Sequence, residues 1–429
     1  MTTTVEPSPT TTPAGDDGHR HPAPWLRELP PWQRGLVYIG LGLIVMSVVR
    51  IVSGANDITS SGTIAVALGL AVPIGMAGLG GIFSERVGIV NIGLEGMMIL
   101  GTWFGAYGAW QFGPWTGLLL GVVGGAIGGV IHAIATVTFN VDHIISGVAV
   151  NILAGGLAKY LSVIAYDAES GGSAIQSPTQ KAKIPNFNVP LVGDALRSIE
   201  RRHWFLLSDV AGVLRGFTSN MSYATLLAIL ILVGAAFLLW RTRFGLRLRS
   251  IGENPYAAES LGVPVLRIKY AGVILSGMCA GFGGAFLAIV QASNYREGLS
   301  GGRGFIGLAT MIFGNWRPGG LASGALLFGY SDGLQLRSSS SVPALFLLVA
   351  ILCVAIAAWQ IRCGRIIPGA ITSVIGVGFL VLYLLVDVVP QSLMPTTPYV
   401  VTLVVLATSS QRLRMPAADG LPYRRGEAH

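Results

Sequence analysis

Stretches of about 20 mostly apolar residues recur along this chain with short polar gaps between them, and no other feature limits the fold so strongly. An α-helix rises 1.5 Å per residue, so about 20 residues cross the roughly 30 Å hydrocarbon core of a bilayer. On that ruler the sequence predicts spans at 36–52, 62–83, 92–110, 115–137, 144–164, 223–240, 269–291, 304–315, 320–335, 342–360, 369–389 and 397–409. The stretches at 304–315, 320–335 and 397–409 are short and read as broken, tilted or re-entrant helices. Charged residues make up only 11% of the chain, against roughly 25% in soluble domains. Lipid offers no hydrogen bonds to an open backbone, so the expected fold is all-α: one polytopic transmembrane helical bundle.

Positive charge orients the bundle, because short cytoplasmic loops hold the Lys and Arg excess. An inside N-terminus places Arg20/Arg27/Arg34, Arg241/Arg243/Arg247/Arg249, Arg362/Arg365 and Arg412/Arg414/Arg424/Arg425 together inside. Shifting the register by one helix would put most of them outside. The net charge of +8 thus reads as loop anchoring at a lipid surface, with no nucleic-acid partner. Residues 1–34, rich in Thr, Pro and charge, read as a disordered cytoplasmic tail without a signal peptide. Residues 413–429 read as a cytoplasmic C-terminal tail, and the polar stretch around 165–222 as an extracytoplasmic loop.

Two blocks recur in order. Ala77-Gly78-Leu79-Gly80-Gly81-Ile82-Phe83 matches Ala280-Gly281-Phe282-Gly283-Gly284-Ala285-Phe286, and Met98-Ile99-Leu100-Gly101-Thr102-Trp103 matches Met311-Ile312-Phe313-Gly314-Asn315-Trp316. The first copy runs toward the cytoplasm and the second away from it, which predicts two inverted repeats, about 62–164 and 223–335, with about ten core spans. Small-residue runs also recur in any tightly packed membrane bundle, and that reading stays open.

The segment from Arg241 to Tyr270 carries the strongest functional signal. Asn254 can cap a helix, Pro255 suits its first position, Tyr256-Ala257-Ala258-Glu259-Ser260-Leu261 supply about two turns, and Gly262 can end them. Such a short helix can seat in a partner and transmit force, or it can be a loop whose arginines hold anionic lipid. Within the membrane, Asn91 and Glu95 lie four apart on one helix face at the entry to the third span. They suit either a polar path or structural hydrogen bonds. Asn151 and Asn315, one in each half, suit a polar ligand at depth or helix–helix adhesion.

Other patterns exclude functions. Cys279, Cys353 and Cys363 have no metal-ligand or CxxC spacing, and His132 and His143 have no partner at ligand spacing. Gly302-Arg303-Gly304-Phe305-Ile306-Gly307 fits GxGxxG, but no strand precedes it, so the glycines read as a bend before the eighth span. The chain has no GxxxxGK[ST] loop, hence no ATP-hydrolysing site of its own.

Four stretches carry a resemblance: Gly80-Gly81-Ile82-Phe83-Ser84-Glu85-Arg86 through Gly96, Ile145-Ser146-Gly147-Val148-Ala149-Val150-Asn151, Phe244-Gly245-Leu246-Arg247-Leu248-Arg249-Ser250-Ile251-Gly252-Glu253, and Pro398-Tyr399-Val400-Val401-Thr402-Leu403. In these the chain resembles the permeases of binding-protein-dependent ABC importers, in the branch with ribose and branched-chain amino-acid permeases, and most of all the nucleoside (guanosine-type) members. The resemblance implies a multi-pass subunit of the inner (plasma) membrane that is not itself an enzyme. It implies three partners: a cytoplasmic ATPase that holds ATP and magnesium, a second permease chain, and an extracytoplasmic solute-binding lipoprotein. It also implies a coupling element at Arg249, Gly252, Glu253, Asn254, Pro255, Tyr256, Ala257, Ala258 and Gly262. The chain departs from the family pattern between Ser338 and Pro395, where about two extra spans read as an added helical hairpin near 342–389. Sugar or branched-chain amino-acid transport, and a stand-alone secondary transporter, are the alternative readings.

Overall fold

The computed structural model describes residues 29–189, 192–337, 341–386, 396, 399–400 and 413–425. The predicted span at 397–409 lies almost wholly outside them. Helix α1 (Pro31–Ser53) begins inside the segment expected to be a tail. It leads into α2 (Ser61–Glu85), α3 (Leu94–Phe112), α4 (Pro114–Ala133) and α5 (His143–Tyr166). Two short helices, α6 (Val192–Glu200) and α7 (Leu207–Thr218), precede α8 (Tyr223–Arg241), α9 (Arg243–Glu253) and α10 (Pro255–Ser260). The chain continues through α11 (Val265–Phe286), α12 (Arg303–Phe313), α13 (Pro318–Arg337), α14 (Val342–Arg362) and α15 (Ile366–Leu385). Among the described residues the only strands are a two-residue pair, Asn186–Phe187 with Met221–Ser222.

Local chemistry starts these helices where they start. Ser60 Oγ accepts from the Thr63 amide, Asp142 accepts from the Ile144 and Ile145 amides, and Ser222 Oγ accepts from the Ala224 amide. Proline occupies the first turn of α1, α4, α10 and α14, where a missing N–H costs nothing. Pro73 inside α2 leaves the Gly69 carbonyl without its helical donor. Gln291 Nε2, on the π-helical turn Leu287–Ala292 that follows α11, supplies one at 2.7 Å.

The centre of the bundle is α2 crossed by α11. Their apolar windows are 83% and 78% buried, whereas those of α1, α5, α8 and α15 are buried along only 17% to 28% and face outward. The two central helices run antiparallel. Glu85 at the end of α2 and Lys269 near the start of α11 sit at the same end of the bundle, both beside Asp419.

Glycine makes the close approaches possible. A Cβ at Gly125 on α4 would lie 2.2 Å from the Gly277 carbonyl oxygen on α11; one at Gly277 would lie 2.3 Å from the Gly125 oxygen, and one at Gly281 2.4 Å from the Gly121 oxygen. Backbone thus touches backbone along a small-residue seam. The recurring blocks also contact each other reciprocally: Gly81 packs on the Met311 side chain, and Gly284 on the Met98 carbonyl. Each half's first helix therefore docks on the other half's second.

Helices α14 and α15 pair through Gly369 and Gly376, and α14 packs against α1 in one apolar cluster that holds Val49 and Phe379. At the end where α1 and α2 join, Arg50 Nε lies 2.7 Å from Asp209 of α7, and Arg215 of α7 pairs with Glu200 of α6 at 2.7 Å. The 165–222 stretch is thereby fastened to the bundle.

Candidate functional site

The segment after α8 forms the helix its sequence predicts. Thr242 Oγ1 accepts from the Gly245 amide to start α9, whose buried face carries Gly245, Leu248, Ile251 and Gly252. Asn254 Oδ1 accepts from the Ala257 amide at 2.9 Å, Pro255 takes the first turn of α10, and Gly262 at φ +79° closes it. Gly252 is obligatory for contact: a Cβ there would lie 2.3 Å from the Arg86 carbonyl oxygen. Arg249 lies with its guanidinium 5.5 Å from the centre of the Trp240 ring.

The C-terminal segment folds back onto this element, contrary to its reading as a tail. The Ala418 amide donates to the Gly252 carbonyl at 2.8 Å, and the Arg414 amide donates to Asn315 Oδ1 at 2.7 Å. Tyr423 is 4% exposed and packs with its ring tilted 53° and centred 5.2 Å from that of Tyr256 of α10, while Arg425 pairs with Glu259 at 3.3 Å. Asp419 inserts between Glu85 and Lys269. Residues 414–425 are therefore a strap that joins α10 to the feet of α2, α11 and α12. Its turn residues and its aromatic were visible in Pro416, Gly420, Pro422 and Tyr423, but nothing periodic marked where they would dock.

Burial, reinforced by the Glu85 carboxylate, pushes the Asp419 carboxyl well above the usual carboxylate range, with Lys269 opposing. The docked strap then holds a proton that a free strap releases in the ordinary carboxylate range, so docking weakens as pH rises above that range. Trypsin cleavage at Arg424 and Arg425 is expected to accelerate from pH 6 to pH 9 beyond the enzyme's own pH profile, and Asp419→Asn to remove that excess.

The membrane polar residues are engaged within the protein. Glu95 Oε1 and Oε2 accept from the Gly302 and Gly304 amides at 2.9 and 2.7 Å, so its carboxylate caps α12, an 11-residue half-helix. Asn151 accepts from the Gly96 amide at 2.7 Å and donates to the Ile92 carbonyl at 3.1 Å. Asn91 donates to Ser276 Oγ at 2.8 Å, and its own Oδ1 is buried without a partner. Asn315 is not at depth; it sits at φ +55° beside Arg86 and Arg414 at the α10 end. A turn after a half-helix displaced it, which a full-length span at 304–315 would not have done. Glu95→Ala strands two amides and is expected to cost about 3 to 6 kcal/mol, at about 1.5–3 kcal/mol per charge-assisted bond. Glu95→Gln, which keeps one acceptor, should fall between in a thermal melt.

Comparison with known proteins places this arrangement. The family described as "Branched-chain amino acid transport system / permease component" matches residues 63–358. The chain belongs to that permease family. The permease is 35% identical to the nucleoside ABC transporter permease protein NupC of Lactococcus lactis, over 82% of this chain and 93% of the relative. It is 32% identical to the guanosine ABC transporter permease protein NupQ of Bacillus subtilis, over 83% and 94%. It is also 23% identical to the Lactococcus lactis nucleoside ABC transporter permease protein NupB, over 68% and 80%. No solved structure matches the permease. The family match ends inside α14, and so covers the first helix of the hairpin expected to be extra.

Proposed function

We propose that this permease forms the translocation path for nucleosides in an ABC importer, with ATP hydrolysed in a partner chain. The observation that carries the substrate is the 35% identity to a nucleoside permease across 93% of that relative's length. Two named permeases of one organism, NupB and NupC, both resemble this chain, which supports a second, paralogous permease as its membrane partner. An extracytoplasmic binding lipoprotein delivers the solute.

The end of the bundle bearing Arg241, Arg243, Arg247, Arg249 and Arg414 faces the cytoplasm, in keeping with the positive-inside rule. Helix α10 seats in the ATPase, with Arg249, Gly252 and Glu253 behind it and Asn254 to Gly262 forming it. The antiparallel α2 and α11, with their reciprocal glycine contacts, support two inverted halves. Asn91, Glu95 and Asn151 hold α3 and α12 in place and so shape the path. The free Asn91 Oδ1 makes it the member of that set best suited to answer a polar solute.

Proteoliposomes holding the permease with its ATPase, second permease and binding protein are expected to take up labelled guanosine when ATP is supplied. Excess unlabelled adenosine or uridine should compete, and excess ribose or leucine should not. Competition by leucine alone would move the substrate to branched-chain amino acids, and guanosine uptake driven by an ion gradient without ATP would overturn the ABC reading.

A further inference from the structure

Four arginines line one cavity at the α10 end of the bundle. The cavity has a volume of about 320 Å³ and is walled by Arg86, Arg249, Arg317 and Arg414, with Trp240 and a single carboxylate, Glu253, among the rest. Arg86 and Arg249 lie 5.7 and 5.5 Å from the centre of the same Trp240 ring. The Nε atoms of both are buried without a hydrogen-bond partner. Arg86 donates to the Trp316 carbonyl at 3.0 Å and meets Glu253 at 4.0 Å, and Glu253 is 58% exposed, so the one carboxylate among the lining residues stands against four arginines. Burial lowers the Arg86 pKa, Glu253 and Asp419 oppose the shift, and the Arg249 and Arg317 charges add to it.

Clustering like charges beside a half-buried indole is unfavourable unless an anion joins them. Guanidinium forks match the oxygen geometry of phosphate in particular, two parallel N–H donors to two oxygens. The volume exceeds that of a bare phosphate and admits a small group attached to it.

We propose that this cavity binds a phosphate-bearing anion, held by Arg86, Arg249, Arg317 and Arg414 over the Trp240 ring. The ligand is either the headgroup of an anionic phospholipid or a soluble phosphorylated molecule; the chemistry is common to both. Its place between α9, the 315–317 turn and the strap means that an occupant ties together the same three elements that carry α10.

The full-length chain in nanodiscs of phosphatidylcholine separates the sources. Inorganic phosphate or glycerol 3-phosphate added to the buffer tests the soluble ligand, and doping the disc with phosphatidylglycerol tests the lipid. Thermal stabilisation by either supports the site, provided that Arg249→Gln and Arg317→Gln each weaken the apparent affinity about tenfold or more, as expected for losing a charge-assisted bond. Arg247→Gln, on α9 but outside the cavity, should bind as the parent does. Arg317 is exposed, so its variant reads the site even where Arg249→Gln fails to fold. No stabilisation by any of the three probes, or stabilisation that both cavity variants retain in full, overturns the proposal.

Discussion

Gly125→Val and Gly281→Val are expected to abolish accumulation of folded chain in the membrane, while Gly42→Val and Gly234→Val accumulate as the parent does. At Gly125 the first carbon of any side chain would lie 2.2 Å from a carbonyl oxygen and 2.5 Å from the Gly281 Cα; at Gly281 it would lie 2.4 Å from the Gly121 oxygen. Overpacking a core costs about 1–3 kcal/mol when side chains can rotate away. Here the obstacle is backbone on both sides, so relief requires moving α4 and α11 apart, and α11 is half of the bundle's centre. That separation also opens the contacts of Gly284 with Met98 and of Gly101 with Gly281. With native stabilities commonly about 5–15 kcal/mol, the loss is enough to unfold the chain. Nothing lies within 4 Å of a Cβ at Gly42 or Gly234. Immunoblots of membranes, with size-exclusion of the solubilised protein, distinguish the pairs; normal accumulation of Gly125→Val would show that the α4–α11 seam is not a tight contact.

Those glycines illustrate what the sequence could disclose. The repeated Gly blocks were legible because close helix contact leaves a composition trace, and α9–α10 were legible because capping chemistry is local: Asn254, Pro255 and Gly262 act within a few residues of themselves. Most spans were legible by hydropathy. The candidate path residues were not. Whether Glu95 faces a solute or caps a helix depends on where Gly302 and Gly304 arrive from 207 and 209 residues away, and no local rule carries that distance. Asn315 was misplaced for a related reason, since an apolar run of 11 helical residues looks like a poor span until its turn at Asn315 and Trp316 is seen. The strap escaped because its binding surface is assembled from α2, α9, α10, α11 and the 315–317 turn, none of which is near it in sequence.

Tyr423→Ala is expected to separate ATP hydrolysis from uptake in the assembled importer. Tyr423 is almost fully buried, packs on Tyr256 of α10 and lies 5.7 Å from Lys269 of α11. Truncating a buried aromatic to alanine costs about 3–5 kcal/mol, against about 0.5–1.5 kcal/mol for each bond that the Ala418 and Arg414 amides make to the Gly252 carbonyl and the Asn315 side chain, and the Arg425–Glu259 pair is exposed on its arginine side. The strap then leaves, and with it goes the bridge from α10 to the feet of α2 and α12. Helix α10 itself persists, because its cap and closing turn come from Asn254 and Gly262, so the seat proposed for the ATPase is kept. Hydrolysis should continue near the parental rate while uptake falls more than tenfold. Tyr256→Ala removes the other ring of the pair and should do the same, whereas Leu421→Ala, half-exposed on the strap, should transport normally. Paired assays of phosphate release and guanosine uptake give the ratio directly. If Tyr256→Ala uncouples and Tyr423→Ala does not, α10 acts without the strap; if neither uncouples, force enters the bundle elsewhere.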